Sequence, residues 1–211
     1  MSSSQTASRP LPVSPSAFLP VVESARFTAR QGTVPACSLE FTIGDITTQK
    51  VDAIVNPVGP GLVDLAIRRA AGPALLDAFH GAVAELPEQR LLPGQAIITP
   101  GFGLRARYVI HCAPPAYADE PAIARQQLAA CYTEALRLAR EHGLTSIAFP
   151  SIATGIFRYP AAEAAEVAIG AVVAAVRGQG ESVRNGGPRV VRFVLSRPAT
   201  LDRYAGAAAR R

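Results

Sequence analysis

Lysine is almost absent from this chain: Lys50 is the only one, although the formal net charge is +5. The positive balance is therefore carried by arginine, which stays charged at any working pH. Chemistry that needs a deprotonatable amine has a single candidate. Lys50 precedes the strand-like run Val51–Val55, so it belongs at the opposite end of that strand from the loop that follows it. Cysteine is scarce as well. Cys37, Cys112 and Cys131 are an odd number without metal-ligand spacing, which argues against both a disulfide framework and a structural zinc site. Cys131 falls inside a predicted helix and Cys112 follows a strand, so buried free thiols are the default for both. No apolar run is long enough to span a bilayer. The first twenty residues, MSSSQTASRPLPVSPSAFLP, lack the basic start and continuous apolar segment of a secretory signal. A reducing, cytoplasmic setting without membrane partners is expected.

A series of aromatics interleaved with the basic residues is also missing. Arg184, Arg189, Arg192, Arg197, Arg203, Arg210 and Arg211 crowd the C-terminal end, and such density attracts polyanions. Base stacking needs more than charge. The arginines are read as a solvated face of the last strand and tail, and nucleic acid is not an expected partner.

What is present is enough chain for one compact core, 211 residues, with length left for a tail. Residues 1–20 are Ser/Pro-rich and read as a flexible tail, leaving 21–211 as a single domain. Phe27–Ala29 is a strand candidate pairing with Leu39–Ile43 across QGTVPAC. Val63–His80 carries Val63, Ile67, Ala70, Ala71 and Leu75 at helical spacing. Ala96–Thr99 and Tyr108–His111 read as strands around a Gly101–Leu104 turn. Ile123–His142 is predicted helical with Leu128, Cys131, Ala135 and Leu138 on one side, stopped by Gly143. Ser146–Phe149 and Val190–Leu195 are strands, and Ala161–Val176 is apolar enough to be a buried helix. This alternation implies an α/β fold, a sheet covered on both faces by helices.

Two segments carry chemistry. Leu39–Ile43 delivers Gly44-Asp45-Ile46 and Val51–Val55 delivers Asn56, at strand ends where open α/β sheets bind ligands. An Asp with flanking N–H groups suits an exocyclic amine beside a ring nitrogen, as adenine offers. Far downstream, Ser151-Ile152-Ala153-Thr154-Gly155-Ile156-Phe157 is a small-residue loop before an Ala-rich helix. Such a loop directs several N–H groups at one anion, Gly155 permits close approach, and Phe157 can lie against a sugar. Alone, either segment is an ordinary turn. His111 at a strand end reads as structural.

Together these segments resemble a macrodomain, the ADP-ribose-binding module. The resemblance runs from about Leu39 to Tyr204. It takes in GDIT at Gly44–Thr47, VDAIVN at Val51–Asn56, VDLAIRRAAGP at Val63–Pro73, PGQAIITPGFGLRARYVIH at Pro93–His111, CYTEALRLA at Cys131–Ala139, SIAFPSIATGIFRYP at Ser146–Pro160 and RVVRFVL at Arg189–Leu195. It implies a three-layer α/β/α fold with a mixed, mostly parallel sheet. It also implies ADP-ribose, free or on a modified protein, as the partner, and no metal or other cofactor. By the same resemblance Asp45 and Ile46 take the adenine, and Ser151, Ala153, Thr154, Gly155 and Ile156 take the diphosphate. Phe157 takes the distal ribose, and Asn56, which matches the family's first Asn, belongs to the binding set and mostly braces the loop.

The departures lie on the other wall. The hydrolytic MacroD-type branch carries Asn-Ala-Ala-Asn, a glycine run, then Val-Asp-Gly. Here the order is Asn56-Pro57-Val58-Gly59-Pro60-Gly61-Leu62-Val63-Asp64-Leu65, with Gly59 at the second Asn and the glycine run largely deleted. Where the branch that cleaves through a lysine has that residue, this chain has Pro60. Ser196 replaces an aromatic that often stacks on adenine. Asp64 remains as the candidate catalytic carboxylate, positioning water or accepting a ribose proton, or else it only favours its helix N-terminus. Two classes follow: a hydrolase of ester-linked ADP-ribose on proteins or O-acyl-ADP-ribose, and a non-catalytic ADP-ribose reader. A module for another nucleotide diphosphate is a third. Oligomeric state is left open.

Overall fold

The structure is a computed structural model that describes residues 25–28, 37–117, 120–177 and 187–211. The Ser/Pro-rich stretch 1–20, the QGTVPAC turn up to residue 36, and Arg184 lie outside the described residues. The strands are β1 (Ala25–Thr28), β2 (Ser38–Ile43), β3 (Ala53–Pro57), β4 (Ala96–Pro100), β5 (Tyr108–Cys112), β6 (Ser146–Phe149) and β7 (Val190–Leu195). The helices are α1 (Leu62–Ala71), α2 (Ala74–Ala84), α3 (Pro121–Glu141), α4 (Ala161–Arg177) and α5 (Pro198–Ala209). A short 3₁₀ turn spans Ile46–Thr48.

All seven strands form one sheet in the order β1-β2-β7-β6-β3-β5-β4. The central pairings are parallel, and β1 and β4 run antiparallel at the two edges. Because strand side chains alternate between faces, neighbours in sequence enter different cores. Val55, Ile110, Ile147, Phe149, Phe193 and Leu195 pack with α3, α4 and α5. Ile54, Val109, Ala148 and Val194 pack with Ile67, Ala71 and Leu75 of α1 and α2. The three-layer architecture follows from that alternation. The larger core is aromatic at its centre, with Phe193 stacked on Phe41 at 5.5 Å and on Phe149 at 5.8 Å.

Three departures from the sequence expectation have a structural cause. The helical pattern over Val63–His80 is two helices, because Gly72 takes φ 87° and Pro73 follows it. Periodicity continues across the break while the backbone does not. Strand β3 begins at Ala53, not Val51. Asp52 instead accepts hydrogen bonds at one oxygen from Thr145 N and Oγ1, both 2.8 Å, and from Ser146 N and Oγ. Burial works to raise the Asp52 pKa, but these bonds outweigh it and the net shift is downward. The C-terminal tail is a helix, α5, started by Pro198 at its first position and burying Leu201, Tyr204 and Ala207.

Several of the crowded arginines are internally paired. Arg192 holds Glu40 at 2.7 Å and Gln49 Oε1 at 3.1 Å, and Arg210 and Arg211 both engage Glu166. Cys37, Cys112 and Cys131 are free and buried. Burial pushes the Cys37 thiol up to about 11, which keeps it protonated and inert. No helix among the described residues is long and apolar enough to cross a membrane.

Candidate functional site

The parallel strands place the ends of β2, β7, β6, β3 and β5 along one edge of the sheet. Asp45, Ser196, Ser151, Asn56 and His111 therefore arrive on the same side, with Asn56 and His111 in direct register. Lys50 precedes β3 and is exposed at the other end.

Asp45 caps the 3₁₀ turn. Its Oδ1 accepts from Thr47 N and from Thr47 Oγ1, each at 2.8 Å. Its carbonyl accepts from Thr48 Oγ1 and Gln49 Nε2, both at 2.9 Å. These contacts fix the carboxylate while leaving Oδ2 without a partner among the described residues. Ile46 buries its side chain in the smaller core, so only its backbone faces the cleft edge. Ser196 is exposed after β7.

The Ser151–Phe157 loop is held from below. Ser151 Oγ lies 3.0 Å from Tyr204 Oη and accepts from Thr154 Oγ1 at 2.9 Å, while Tyr132 Oη accepts from Ile152 N at 3.5 Å. The hydroxyls of Ser151 and Thr154 are thus engaged with the protein. The backbone is different. Among the described residues, nothing accepts from the N–H groups of Ala153, Thr154, Gly155, Ile156 or Phe157. Ala153 is buried while Gly155 and Ile156 are exposed, so these N–H groups face open space, and a loop that presents several together is an anion cradle. Ala153 and Arg158 adopt positive φ, 64° and 56°, at the ends of this loop. Bonds from Tyr159 N to Ala153 O and Arg158 N to Gly155 O close it, each 3.0 Å. A Cβ on Gly155 meets open space.

Tyr204 was not legible as a site residue, because the helix that carries it was not. Its burial holds the phenol protonated, so it always has a proton to share with Ser151 or Tyr132. The only signal in sequence is Pro198 followed by an Ala-rich stretch, which marks a helix start but not what the helix covers.

The opposite wall is tighter. Gly59 has φ 148°, and a Cβ there would stand 3.1 Å from Phe157 Cζ. The φ strains any side chain at position 59, and the Phe157 ring crowds the place where one would start. Asn56 is buried and points inward: Nδ2 donates to Asp64 Oδ1 at 2.8 Å and contacts His111 Nδ1 at 3.2 Å. Asp64 is 4% exposed, and its other oxygen is ion-paired with Arg68 Nε at 2.9 Å. It does not cap α1, whose N-cap is Gly61 and has no side-chain bond.

The proton arrangement follows from these partners. A charged Asp64 requires the Asn56 amide to turn its NH₂ toward it, which sends the second N–H to His111 Nδ1. His111 then carries its proton on Nε2 and donates to Thr99 Oγ1 at 2.9 Å. Burial, with the Arg68 charge second, lowers the His111 pKa to about 4. The imidazole is neutral near pH 7. Asn56 Oδ1 is buried without a partner among the described residues. Asn56 also lines a small cavity with Val58, Asp64, Arg68, Leu75, Leu76, Phe79 and His111, whose room for a water's centre is about 10 Å³. That is the space of a single water. Among the described residues no group of three or more His, Cys, Asp or Glu is placed to hold a metal.

This geometry has close parallels. The Macro domain family model matches residues 55–168. A macro domain-containing protein of Xanthomonas campestris is 43% identical over 136 residues, covering 62% of this chain and 76% of that protein. A protein of Klebsiella pneumoniae named O-acetyl-ADP-ribose deacetylase is 44% identical over 140 residues, 64% of this chain and 79% of its own length. Among solved structures, an Oceanobacillus iheyensis macrodomain with ADP superposes at a TM-score of 0.77 with 33% identity, covering 90% of this chain and 97% of that one. A Trypanosoma brucei macrodomain in complex with ADP-ribose gives 0.65 with 29% identity, over 80% and 68% respectively. With the sheet order, the unpaired N–H loop and these matches in agreement, the chain belongs to the macro domain family.

Proposed function

We propose that the cleft binds ADP-ribose and hydrolyses its ester linkage to a carboxyl group, on a modified protein or an O-acyl-ADP-ribose. The observation that carries the binding part is the run of unpaired N–H groups from Ala153 to Phe157 beside open space at Gly155. Fixed donors facing an open site suit a diphosphate, because charge-assisted bonds to backbone N–H are among the stronger ones available. Asp45 Oδ2, pre-oriented by Thr47, takes the adenine amine. Phe157, lying over Gly59, flanks the distal ribose. The names of the Klebsiella relative and of the ligand-bound macrodomain structures support this reading.

For chemistry, the carboxylate that follows the first loop is Asp64. Hydrolysis consumes one water: its oxygen bonds to the ester carbonyl, the acyl–oxygen bond breaks, and a carboxylic acid and a ribose hydroxyl are released. Asp64 orients that water, takes its proton and passes it to the departing ribose oxygen. A second reading, a binding module without turnover, is favoured by one specific observation. Both Asp64 oxygens are already engaged, by Asn56 and Arg68.

The test combines calorimetry with a release assay. ADP-ribose is expected to bind at least about tenfold more tightly than AMP, since AMP lacks the second phosphate and distal ribose that the loop addresses. Single-turnover incubation with an acidic-residue conjugate should release ADP-ribose. Binding without release leaves the binding-module reading standing. Equal affinity for AMP and ADP-ribose removes the diphosphate assignment.

A further inference from the structure

Helix α1 turns an apolar face to solvent. Leu62, Leu65, Ala66, Arg69 and Ala70 are all exposed and lie at i, i+3, i+4, i+7 and i+8, one stripe of a helix. Leu62 is 85% exposed and Leu65 44%. A helix flank on a folded domain ordinarily shows charge there. At the far end of the stripe the β4–β5 turn docks on the helix, with Gly103 N donating to Ala71 O at 3.1 Å. Phe102 in that turn is 44% exposed. Three of the five large exposed apolar side chains among the described residues, Leu62, Leu65 and Phe102, lie on this stripe or its turn.

The charge on the stripe has one sign. Arg69 near its C-terminal end and Arg105 in the turn that carries Phe102 are exposed and have no acidic partner among the described residues. The one acid of α1, Asp64, is buried against Arg68. The stripe also has a fixed relation to the cleft. Leu62 follows directly on Gly61, and the Gly59 segment touches Phe157 of the anion loop. From Leu62 to Ala70 the helix rises about 12 Å, the length of about four extended residues.

We infer that this face is a docking surface for an acidic polypeptide segment flanking the ADP-ribosylated side chain. The inference rests on the proposed reading of the cleft. Apolar side chains of the segment pack on Leu62, Leu65 and Phe102, and its carboxylates meet Arg69 and Arg105. The nucleotide in the cleft anchors one end, so the stripe adds affinity only for ligands that carry protein. It sorts modified proteins by sequence around the linkage and leaves free ADP-ribose unaffected.

The experiment compares wild type with Leu65→Asp and Arg69→Glu, both at exposed positions outside the cleft. The probes are free ADP-ribose and an ADP-ribosyl peptide with acidic flanks, joined through a hydrolysis-resistant amide in place of the ester, with a lysine-flanked conjugate of equal length as control. Wild type should bind the acidic conjugate about tenfold more tightly than free ADP-ribose, and the lysine-flanked one no more tightly than it. Each variant should lose that advantage while its affinity for free ADP-ribose stays within about twofold of wild type. Wild type binding free ADP-ribose but showing no preference for the acidic conjugate overturns the docking surface alone. Variants that weaken both probes equally overturn it as well. Sedimentation showing a dimer that Leu65→Asp dissociates assigns the stripe to a second copy of this chain and overturns the inference. A wild type that binds no probe removes the cleft reading and the docking surface with it.

Discussion

Replacing Asp45 by Asn separates its two jobs. In the structure Oδ1 braces the 3₁₀ turn through Thr47 N and Oγ1, and only Oδ2 faces outward. An asparagine keeps Oδ1 on Thr47 because that position faces two donors. Its NH₂ is then forced into the place of Oδ2, where it presents a donor to the donor amine of adenine. The variant loses a charge-assisted hydrogen bond, about 1.5–3 kcal/mol, or roughly 10–150-fold in Kd. The exposure of Asp45 puts the expected value toward the lower end. Asp45→Ala loses the same contact and also the cap, which costs about 1 kcal/mol of local stability. Calorimetry with ADP-ribose reads the first effect and thermal melting the second. The expected pattern is that both variants bind weakly while only Asp45→Ala melts earlier. If Asp45→Asn binds within about twofold of wild type, adenine is not held at Asp45.

Other outcomes follow from the same geometry. Gly155→Glu should fold, because its Cβ meets open space, and should lose ADP-ribose binding because a carboxylate then occupies the anion's position; unchanged calorimetry in the folded variant would remove the phosphate-loop assignment. Asp64→Ala should slow ester hydrolysis by about 10²–10⁴-fold, the usual cost of a positioned base, with a smaller change in affinity; an equally active variant would move the chemistry to another group. Stability should fall with acid through His111. The unfolded imidazole takes its proton near 6.5 and the folded one near 4, so the unfolded state binds more protons between those values. The contribution is complete above pH 6.5 and is lost as pH drops toward 4, by up to about 3 kcal/mol. Urea titrations across that range should show the slope in wild type and a shallower one in His111→Gln, and equal slopes would refute the assignment.

The strands, the layer order and the positions of Asp45 and the Ser151–Phe157 loop were legible in the amino-acid sequence. Each depends on local signals: a period of two in β2 and β7, a Gly-Asp at a strand end, a run of small residues between Phe149 and Pro160. The break at Gly72-Pro73 was also local but was masked by apolar periodicity that continues through it. What needed the tertiary structure was the direction in which polar groups point. Position 59 suits glycine because its φ is 148° and because the Phe157 ring, nearly a hundred residues away, crowds a Cβ there. Asp64 looked like a helix-capping or catalytic acid in isolation. Only the pairing of β3 with β5 brings Asn56 against His111 and so turns Asn56 Nδ2 toward Asp64. Tyr204 beneath Ser151 and the apolar stripe on α1 belong to the same class. A residue's type and neighbours determine its local conformation, whereas burial and hydrogen-bond partners come from chain segments far apart, and those partners decide which atoms remain free for a ligand.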